Sequence, residues 1–461
     1  MTPGARIEAA IGLLQRIDQG GGPADDLVAD YFRRHRFAGA KDRAAISEHI
    51  YAVLRQRAAL DWWIGRRGQG LPCDARRRML AALTLIEGWT GSAIADACDG
   101  DRFRPPPLER EELRLVEGLA GASLETRDMP PEARGNYPAW LTPHLEAALG
   151  RSLAREMAAL NEGAALDLRV NRLRCDNREA ARAALMREGV EAARTNLSPL
   201  GLRVFDRIPL GTLDVFRRGL VEVQDEGSQL AALLAAAQPG MRVVDFCAGA
   251  GGKTLALAAE MHNRGHLVAC DVSAPRLERA TQRLRRAGAS IVQRVPIAGA
   301  RDKWVKRHAR SFDRVFVDAP CTGTGTWRRN PDAKWRLRPE DLAELTALQA
   351  EILDSAARLA KLGGRVIYAT CSLLREENEA QIERFLASHG DFALLPIAGV
   401  WAETVGGEPP GRGDMLRLTP ARDGTDGFFV AVLERKAEAK QEKRQQQESP
   451  SPPPGAEKDL G

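Results

Sequence analysis

The fold of this 461-residue chain is decided by residues 243–254, which read Val-Val-Asp-Phe-Cys-Ala-Gly-Ala-Gly-Gly-Lys-Thr. The valines open a strand-like apolar run, and Gly249, Gly251 and Gly252 follow it just before a helix-like segment. Glycine-rich turns from a strand into a helix are typical of nucleotide-binding α/β sheets, where a ligand lies over the carboxyl edge of the strands. A ligand-free tight turn and a phosphate-binding loop remain alternatives, although the glycine spacing does not fit G-x-x-x-x-G-K-S/T.

Outward from this turn, the C-terminal half of the chain alternates apolar strands with amphipathic helices. Such alternation predicts a parallel, doubly wound sheet that is covered by helices on both faces. The predicted strands are residues 243–247, 266–271, 314–318, 365–370 and 427–433, and the predicted helices are residues 253–261, 274–287, 341–362 and 376–389.

The second predicted strand ends at Asp271, about 20 residues beyond the glycine turn, where nucleotide-binding folds place an acid against the ribose hydroxyls. We expect this carboxylate at an exposed strand end, and together with the glycine turn it predicts an adenosine-bearing cofactor. Capping of the following helix is an alternative role for Asp271 and is compatible with ribose binding.

Three further regions surround the predicted sheet. Residues 1–140 show helical periodicity and predict an all-α domain, and residues 141–238 combine a linker helix with a small α+β segment. Residues 239–435 contain the sheet. Residues 436–461, rich in Lys, Gln, Glu, Ser and Pro, predict a disordered tail because they bury too little apolar surface to fold.

The composition is that of a globular protein, and we expect it in the cytoplasm. Hydrophobic residues make up 44% and charged residues 28% of the chain, and no apolar run reaches the roughly 18 residues of a membrane span. No secretory or transit signal is visible at the N-terminus, so we expect no membrane association. The seven cysteines are scattered without a C-x-x-C pair, which disfavours a disulfide scaffold and predicts no metal site.

Two of these cysteines come directly after predicted strands. Cys321 lies in Asp-Ala-Pro-Cys-Thr-Gly-Thr-Gly, residues 318–325, and Cys371 lies in Ala-Thr-Cys-Ser, residues 369–372. Because neighbouring parallel strands end at the same edge of a sheet, we expect both thiols to open into the crevice beside the glycine turn. The alternative is that each cysteine is a small buried apolar residue.

These stretches, in this order, resemble the motifs of the RsmB/Nop/Sun family of S-adenosylmethionine-dependent RNA cytosine-C5 methyltransferases. The resemblance rests on residues 247–254, 318–325 and 369–372 and on Arg-Asn-Pro-Asp at 329–332, and it covers about residues 165–435. It implies a Rossmann-like class I methyltransferase fold. The all-α domain ahead of it is similar to the NusB-like, RNA-binding domain of the bacterial RsmB branch, which methylates small-subunit ribosomal RNA.

The resemblance also implies how such an enzyme works. C5 of cytosine is a weak nucleophile until a thiolate adds to C6, and the family's pattern gives this nucleophilic role to Cys371. It gives Cys321 the release of the methylated product, places Asp318 against the N3 edge of the cytosine, and places Lys253 at the base or the cofactor. The implied cofactor is S-adenosylmethionine, and its implied binding residues are Cys247, Ala248, Gly249, Ala250, Gly251, Gly252, Lys253, Asp271 and Asp318.

The chain departs from the family pattern in two places. Ala250 stands where the family often has proline. An acid that binds the adenine amino group usually follows the third strand, whereas residues 291–301 contain none and Asp302 comes later. The adenine contact is therefore the open part of the predicted cofactor site.

Basic residues predict an RNA partner. Residues 264–314 hold 13 Lys and Arg against four acids, and residues 327–329 and 334–336 interleave tryptophan with cations as Trp-Arg-Arg and Lys-Trp-Arg. Phosphate neutralisation and base stacking suit unpaired RNA, whose bases can be turned into a pocket. A solvated helix face is the alternative for residues 274–287, and a basic cluster at 33–43 is a candidate RNA contact in the all-α domain.

We therefore expect methyl transfer to C5 of a cytosine in small-subunit ribosomal RNA, through a covalent adduct between a cysteine and C6. Transfer RNA is an alternative substrate. DNA cytosine-C5 methylation is a second alternative, distinguished because those enzymes use the Pro-Cys thiol as nucleophile and have no required Thr-Cys partner. Amino methylation of the Asn-Pro-Pro-Tyr type is disfavoured by Asp-Ala-Pro-Cys. A non-catalytic RNA-binding factor in ribosome assembly is the alternative from a different class. The sequence predicts no oligomeric state.

Overall fold

The computed structural model describes residues 1–206 and 208–436. The predicted tail, residues 436–461, lies outside the described residues except for Lys436. No helix within the described ranges is long and apolar enough to cross a membrane. Along the chain, a helical unit is followed by two linker helices, a small antiparallel sheet and a large mixed sheet.

The N-terminal unit packs its helices around one apolar core. The first helix, α1 (Pro3–Asp18), begins where the Thr2 hydroxyl accepts a hydrogen bond from the Ala5 amide at 3.2 Å, which satisfies a free N–H group of the first turn. Its predicted apolar face, which includes Ile7 and Ile11, is buried. The other helices are α2 (Ala24–Arg34), α3 (Ala40–Arg67), α4 (Ala75–Leu85), α5 (Gly91–Ala97), α6 (Arg110–Leu119) and α7 (Pro131–Gly135).

The linker contains α8 (Thr142–Leu149) and α9 (Leu153–Asn161). The sequence pattern predicts one continuous helix here, whereas the structure breaks it at Gly150. That glycine has a φ of +49°, a left-handed value that a helix of L residues does not accommodate. The break turns the chain toward the small sheet.

The small sheet is antiparallel and lies between the linker and the large sheet along the chain. Its strands lie in the order β2-β3-β1-β4, so the first strand is central. Alternating apolar residues such as Leu168 and Leu202 are buried against the helix that the sequence predicts between the strands. The elements are β1 (Leu166–Val170), α10 (Arg178–Arg187), β2 (Ala193–Arg194), β3 (Gly201–Val204), α11 (Asp214–Arg217) and β4 (Val221–Val223).

The large sheet contains the glycine turn and both strand-end cysteines. It has the order β10-β12-β9-β8-β5-β6-β7, with β11 paired to β12. Its elements are α12 (Glu226–Leu233), β5 (Arg242–Asp245), α13 (Gly252–Glu260), β6 (His266–Asp271), α14 (Ala274–Ala287), β7 (Val292–Pro296), α15 (Lys303–Arg307), β8 (Phe312–Asp318), α16 (Ala333–Arg336), α17 (Pro339–Ala357), β9 (Ala360–Thr370), α18 (Glu379–Ser388), β10 (Phe392–Leu395), α19 (Ile397–Thr404), β11 (Leu416–Leu418), α20 (Pro420–Asp423) and β12 (Phe428–Arg435).

The strands β5 to β9 pair in parallel, as the alternation of strands and helices predicts. The expectation of a wholly parallel sheet is wrong at one edge, where β12 runs antiparallel to β9 and pairs with β10 and β11 in the same sense. Strand direction is set by the path of the connecting chain, which an apolar run does not reveal. The parallel part still brings the carboxyl ends of β5, β6, β8 and β9 to one edge.

One predicted helix is too long. The pattern predicts helix over residues 341–362, but α17 ends at Ala357 and β9 begins at Ala360, which pairs with Phe312 of β8. A register shift in this pairing accommodates Gly363, whose φ is +69°. The spacing of apolar residues that predicts a helix continues past the end of α17, but pairing with β8 makes the following residues a strand.

Candidate active site

The glycine turn joins β5 to α13. Gly249 and Gly251 have φ values of +53° and +80°, in the left-handed region that favours glycine. An added Cβ at Gly251 would also lie 3.0 Å from the Ala280 Cβ, so a side chain is excluded there by crowding. At Gly249 the nearest atom to an added Cβ would be the Arg276 guanidinium carbon at 3.9 Å. Backbone conformation therefore favours glycine at 249, and open space remains above the turn.

Asp271 ends β6 beside this turn. Its Oδ2 accepts a hydrogen bond from the Gly249 amide at 2.8 Å, and its Oδ1 accepts one from the Ser273 amide at 2.8 Å. The residue is 6% exposed, so the expectation of an exposed strand end is wrong. The side chain turns inward because it satisfies two backbone amides, one in the turn and one before α14. Each carboxylate oxygen has a second lone pair, so this position is compatible with ribose binding.

Lys253 and Asp318 form an ion pair in the crevice. The Lys253 Nζ lies 2.6 Å from the Asp318 Oδ2 and 5.1 Å from the centre of the Phe428 ring. Burial lowers the pKa of Lys253, but the charge and hydrogen bond of Asp318 outweigh burial and raise this pKa above its usual value. The ammonium group is therefore charged at neutral pH. One third of the Asp318 side chain remains exposed to the crevice.

The structure brings the two strand-end cysteines together. Because β8 and β9 are parallel neighbours, with Asp318 opposite Ala369, the loops after them leave the sheet side by side. The Sγ atoms of Cys321 and Cys371 lie 3.5 Å apart, and both residues are half-buried. The expected convergence of both thiols at one edge of the sheet is thus present.

The two thiols have opposite electrostatic neighbours. The hydrogen bond with Cys371 is the largest cause that raises the pKa of the Cys321 thiol, and burial and the Glu377 carboxylate add to it. The Cys371 charge is among the causes that raise the pKa of Lys253, after burial, which lowers it, and Asp318, which raises it. Burial and a neighbouring anion oppose the thiolate form of Cys321. The crevice therefore distinguishes two chemically identical side chains.

A third thiol of the crevice, Cys247, lies among carboxylates. Burial is the largest cause that raises its pKa, and Asp245, Asp318 and Asp271 add to it. Asp245 accepts a hydrogen bond from the Thr254 hydroxyl at 2.6 Å, and burial raises the pKa of Asp245 to about 7. Thiolate chemistry is thus disfavoured at Cys247.

Within residues 1–206 and 208–436, no group of three His, Cys, Asp or Glu side chains is placed to hold a metal ion.

Asp302 lies closer to the end of β7 than its sequence position suggests. Its Oδ2 accepts a hydrogen bond from the Ala298 amide at 2.8 Å, and its Oδ1 accepts one from the Trp304 amide at 2.7 Å. These bonds fold the loop after Pro296 back on itself, so an acid does follow this strand in space. Asp302 is therefore a candidate for the acid that the sequence pattern lacks.

Sequence reasoning missed two buried residues beside the thiols, Glu377 and Asn378. Both have no exposed surface, and their side chains hydrogen-bond to the loops that contain Cys321 and Cys371. In the sequence they stand in Leu-Arg-Glu-Glu-Asn, a polar run that resembles an ordinary helix start. The signal that distinguishes them is their position shortly after a strand end that bears a predicted nucleophile.

The tryptophan and cation clusters expected to contact RNA lie in the interior instead. Trp327 and Lys334 are each 1% exposed. The Lys334 Nζ donates to the Asn161 Oδ1 at 2.7 Å, and the Trp335 Nε1 donates to the Leu54 carbonyl at 2.7 Å. Burial lowers the pKa of Lys334 well below its usual value. These side chains join the large sheet to the linker and the helical domain.

The neighbouring arginines are also engaged within the protein. Arg329 pairs through Nη2 with Asp225 at 3.0 Å and through Nε with Asp426 at 2.7 Å. Arg328 contacts the same two carboxylates. The prediction of RNA contacts is therefore wrong at Trp327, Arg328, Arg329 and Lys334, because a local pattern shows the cations but not the buried groups that engage them. Arg336 is exposed, so an RNA contact there stays a prediction.

The basic run at 264–314 divides between internal and exposed cations. Arg286 pairs with Glu222 of the small sheet at 2.6 Å, and Arg314 donates to the Ala235 carbonyl at 2.8 Å. The other cations keep a surface that water or RNA phosphates can reach. Its exposed members are Arg264, Arg276, Arg279, Arg285, Arg301, Lys303, Lys306, Arg307 and Arg310.

Comparisons with known proteins agree with this geometry. Residues 231–434 match the family model described as 16S rRNA methyltransferase RsmB/F, and residues 137–210 match the ferredoxin-like domain of RsmF/B-like methyltransferases. Ribosomal RNA small subunit methyltransferase B of Sodalis glossinidius is 33% identical over 446 residues, which cover 94% of this chain and 98% of that protein.

Two solved structures extend the comparison to the fold. The crystal structure of PH0851 has a TM-score of 0.76 and 28% identity, and the match covers 94% of this chain and 99% of that one. A methyltransferase homologue from Pyrococcus horikoshii has a TM-score of 0.57 and 27% identity, covering 67% of this chain and 98% of that one. The first match includes the helical domain as well as both sheets.

Proposed function

This chain belongs to the RsmB/F family of S-adenosylmethionine-dependent RNA methyltransferases, and we propose that it methylates C5 of a cytosine in small-subunit ribosomal RNA through a cysteine adduct. The single observation that supports the cysteine chemistry most is the pair of thiols, 3.5 Å apart at adjacent strand ends. A lone buried thiol has a purely structural explanation, whereas two thiols between an ammonium and a carboxylate suit covalent catalysis. The ribosomal substrate follows from the names of the relatives.

The residues at the carboxyl edge of the sheet fit the cofactor. When bound, S-adenosylmethionine supplies an electrophilic methyl group on a sulfonium. The turn at Gly249 leaves open space beside the N-terminus of α13, and the second lone pairs of Asp271 are available to ribose hydroxyls. We assign cofactor binding to residues 247–253 together with Asp271 and Asp318, and we assign the adenine contact to Asp302.

In the first chemical step, the Cys371 sulfur forms a bond to C6 of the cytosine, and the C5–C6 π electrons become available at C5. Asp318 contacts the ring edge around N3, and the Lys253 ammonium beside it stabilises the negative charge that addition moves into the ring. S-adenosylmethionine, held by residues 247–253 with Asp271 and Asp318, would supply the methyl group that C5 accepts. The role of Lys253 therefore extends to both the thiolate and the base.

Release reverses the addition. The C5 proton passes to a base, its electron pair restores the C5–C6 double bond, and the bond between Cys371 and C6 breaks to return the thiolate. We assign assistance of this step to Cys321, because its Sγ is within 3.5 Å of the sulfur that must leave. Two thiols thus divide attack and release between them.

The target base must leave any stacked helix to reach a thiol inside the crevice, so the substrate region is unpaired RNA. We infer that the exposed cations of α14 and the segment 301–310 contact its phosphates. The basic cluster at 33–43 is a second candidate contact, within the helical domain that we assign to residues 1–140. That domain lies against the segment that follows the Cys321 loop, since Trp335 donates to Leu54.

Bisulfite sequencing of total RNA from cells with and without the gene tests this proposal. We expect a cytosine of small-subunit ribosomal RNA to lose its protection when the gene is deleted. A copy of the gene should restore protection, and a copy encoding Cys371→Ala should not. Loss of protection confined to transfer RNA would show that transfer RNA is the substrate. Unchanged protection in all RNA would contradict the methyltransferase function.

A further inference from the structure

We propose that the consecutive residues Glu377 and Asn378 are positioning residues that hold the two thiols in register for attack and release. The inference rests on the proposed function above, since it concerns the two cysteines assigned there. Neither residue touches a reacting atom in this arrangement. Asn378 bonds directly to the residues on both sides of Cys371, whereas Glu377 bonds directly to Thr322 and, through Gln349, to Pro320. Their adjacency in the chain couples the two cysteine loops.

Asn378 holds the loop of the proposed nucleophile. Its Nδ2 donates to the Ser372 carbonyl at 2.9 Å, and its Oδ1 accepts from the Thr370 hydroxyl at 2.5 Å. Thr370 and Ser372 are the residues immediately before and after Cys371. The carboxamide has both a donor and an acceptor and uses one on each side, so an isosteric carboxylate cannot replace it.

Glu377 holds the other loop in the same manner. Its Oε1 accepts from the Thr322 amide at 2.8 Å and its Oε2 from the Thr322 hydroxyl at 2.5 Å. Gln349 of α17 donates to the same Oε1 at 2.9 Å and to the Pro320 carbonyl at 2.8 Å. The residues on both sides of Cys321 are therefore tied to one fully buried carboxylate.

The two loops are also fastened to each other. The Gly325 amide donates to the Cys371 carbonyl at 2.9 Å, and the Leu373 amide donates to the Thr324 hydroxyl at 2.8 Å. The Tyr368 hydroxyl donates to the Glu377 carbonyl at 2.7 Å, which anchors the dipeptide to β9. A displacement of one cysteine loop therefore displaces the other, and the 3.5 Å separation of the thiols is a shared property.

Glu377 also has an electrostatic effect that Asn378 lacks. Its charge is one of the causes that raise the pKa of the Cys321 thiol, after the hydrogen bond with Cys371 and burial. Removal of that charge lowers the pKa of Cys321 relative to the native protein. A change at Glu377 should therefore alter the pH dependence of release, whereas a change at Asn378 should alter attack without this pH signature.

The test measures two steps in the full-length protein, with an unmodified transcript of full-length 16S ribosomal RNA and S-adenosylmethionine. Adduct formation is the rate at which covalent protein–RNA complex appears after denaturation, and release is the rate at which it decays. Asn378→Ala should slow adduct formation roughly tenfold with no build-up of complex. Glu377→Gln should leave adduct formation near the native rate, slow release roughly tenfold, and shift the pH dependence of release to lower pH.

Two milder variants keep the test decisive if a buried substitution prevents folding. Thr370→Val removes the hydroxyl that donates to Asn378 and accepts from the Ser372 amide at 3.2 Å. Thr322→Val removes the hydroxyl that donates to Glu377 and lies 3.4 Å from the Ser372 hydroxyl. They should reproduce the attack and release defects respectively, at smaller amplitude. Glu379→Gln is the matched control: this neighbouring carboxylate pairs with Arg417, away from both loops, and should change neither rate.

Proportional loss of both steps in every variant, with an unshifted pH profile for Glu377→Gln, would overturn the inference and leave the dipeptide a purely structural element. Slower release in Asn378→Ala together with slower adduct formation in Glu377→Gln would also overturn the inference. These outcomes presuppose an active native enzyme. Native protein that methylates no ribosomal RNA would instead overturn the proposed function, and the inference with it.

Discussion

Cys321 and Cys371 are the same residue type, both are half-buried, and both follow parallel strands of one sheet, yet they have different chemical surroundings. The charge of Cys371 interacts with the Lys253 ammonium, whereas the buried carboxylate of Glu377 raises the pKa of Cys321, after the hydrogen bond with Cys371 and burial. The difference comes from the elements that supply the charges. Lys253 comes from the first turn of α13 and Glu377 from the approach to α18.

This contrast shows how one fold gives two thiols separate tasks at a distance of 3.5 Å. A thiolate is the reactive form for addition to C6, and we assign that addition to Cys371. A protonated thiol does not compete with Cys371 for C6 of the cytosine. Cys321 has this property because its pKa is raised. Local charge, rather than residue identity, thus distinguishes nucleophile from assistant.

Apart from removal of a thiol, the substitution with the largest expected effect on the difference between the two cysteines is Lys253→Met. This change removes the cation that interacts with the charge of Cys371 and is the partner of Asp318, so adduct formation should fall about 100-fold. Quench-flow measurement of adduct formation at neutral pH checks this effect. A rate equal to that of the native protein would separate Lys253 from the thiol chemistry.

A smaller effect is expected at Asp271, which holds the glycine turn rather than a thiol. Asp271→Ala leaves the amides of Gly249 and Ser273 without their acceptor, at a cost of about 1–3 kcal/mol in the free energy of unfolding. Affinity for S-adenosylmethionine should fall roughly tenfold, measured by calorimetry. The ratio of adduct to released product at saturating cofactor should stay native. Unchanged affinity in a folded variant would remove Asp271 from the cofactor site.

The smallest effect is expected from truncation after Lys436. The Lys436 amide donates to the Asp391 carbonyl at 2.7 Å beside the end of β12, so the described fold is complete at this point. Methyl transfer at saturating RNA should stay within about twofold of native, since the removed composition buries little apolar surface. A filter-binding titration, run in parallel, measures any contribution of Lys440, Lys443 and Arg444 to RNA affinity. Abolished turnover would show that the tail belongs to the catalytic unit.

Much of the site was predictable because its residues lie at strand ends next to strong local patterns. The glycine turn, Asp271 and both cysteines follow apolar runs, and the topology of a parallel sheet brings such positions together. The same rule explains the ion pair of Lys253 with Asp318. Lys253 follows β5, and Asp318 ends β8, which is a parallel neighbour of β5. Sequence periodicity was therefore enough to locate the crevice.

The rest depended on contacts between distant parts of the chain. Arg329 and Lys334 look like nucleic-acid contacts in a local pattern, and they became internal because Asp225, Asp426 and Asn161 lie opposite them. The direction of β12 and the early start of β9 depend on pairing with other strands. Glu377 was missed for the same reason, since its partners are far from it in sequence.

The covalent complex on a denaturing gel tests the division of labour between the two thiols most directly. Native protein, Cys371→Ala and Cys321→Ala are incubated with the 16S transcript and S-adenosylmethionine, and the crosslinked fraction and methyl transfer are both measured. We predict that Cys371→Ala forms no complex and loses at least ~1000-fold in methyl transfer, whereas Cys321→Ala methylates once and accumulates crosslinked protein. Complex trapped in Cys371→Ala and absent from Cys321→Ala, or full activity without complex in both, would contradict the account.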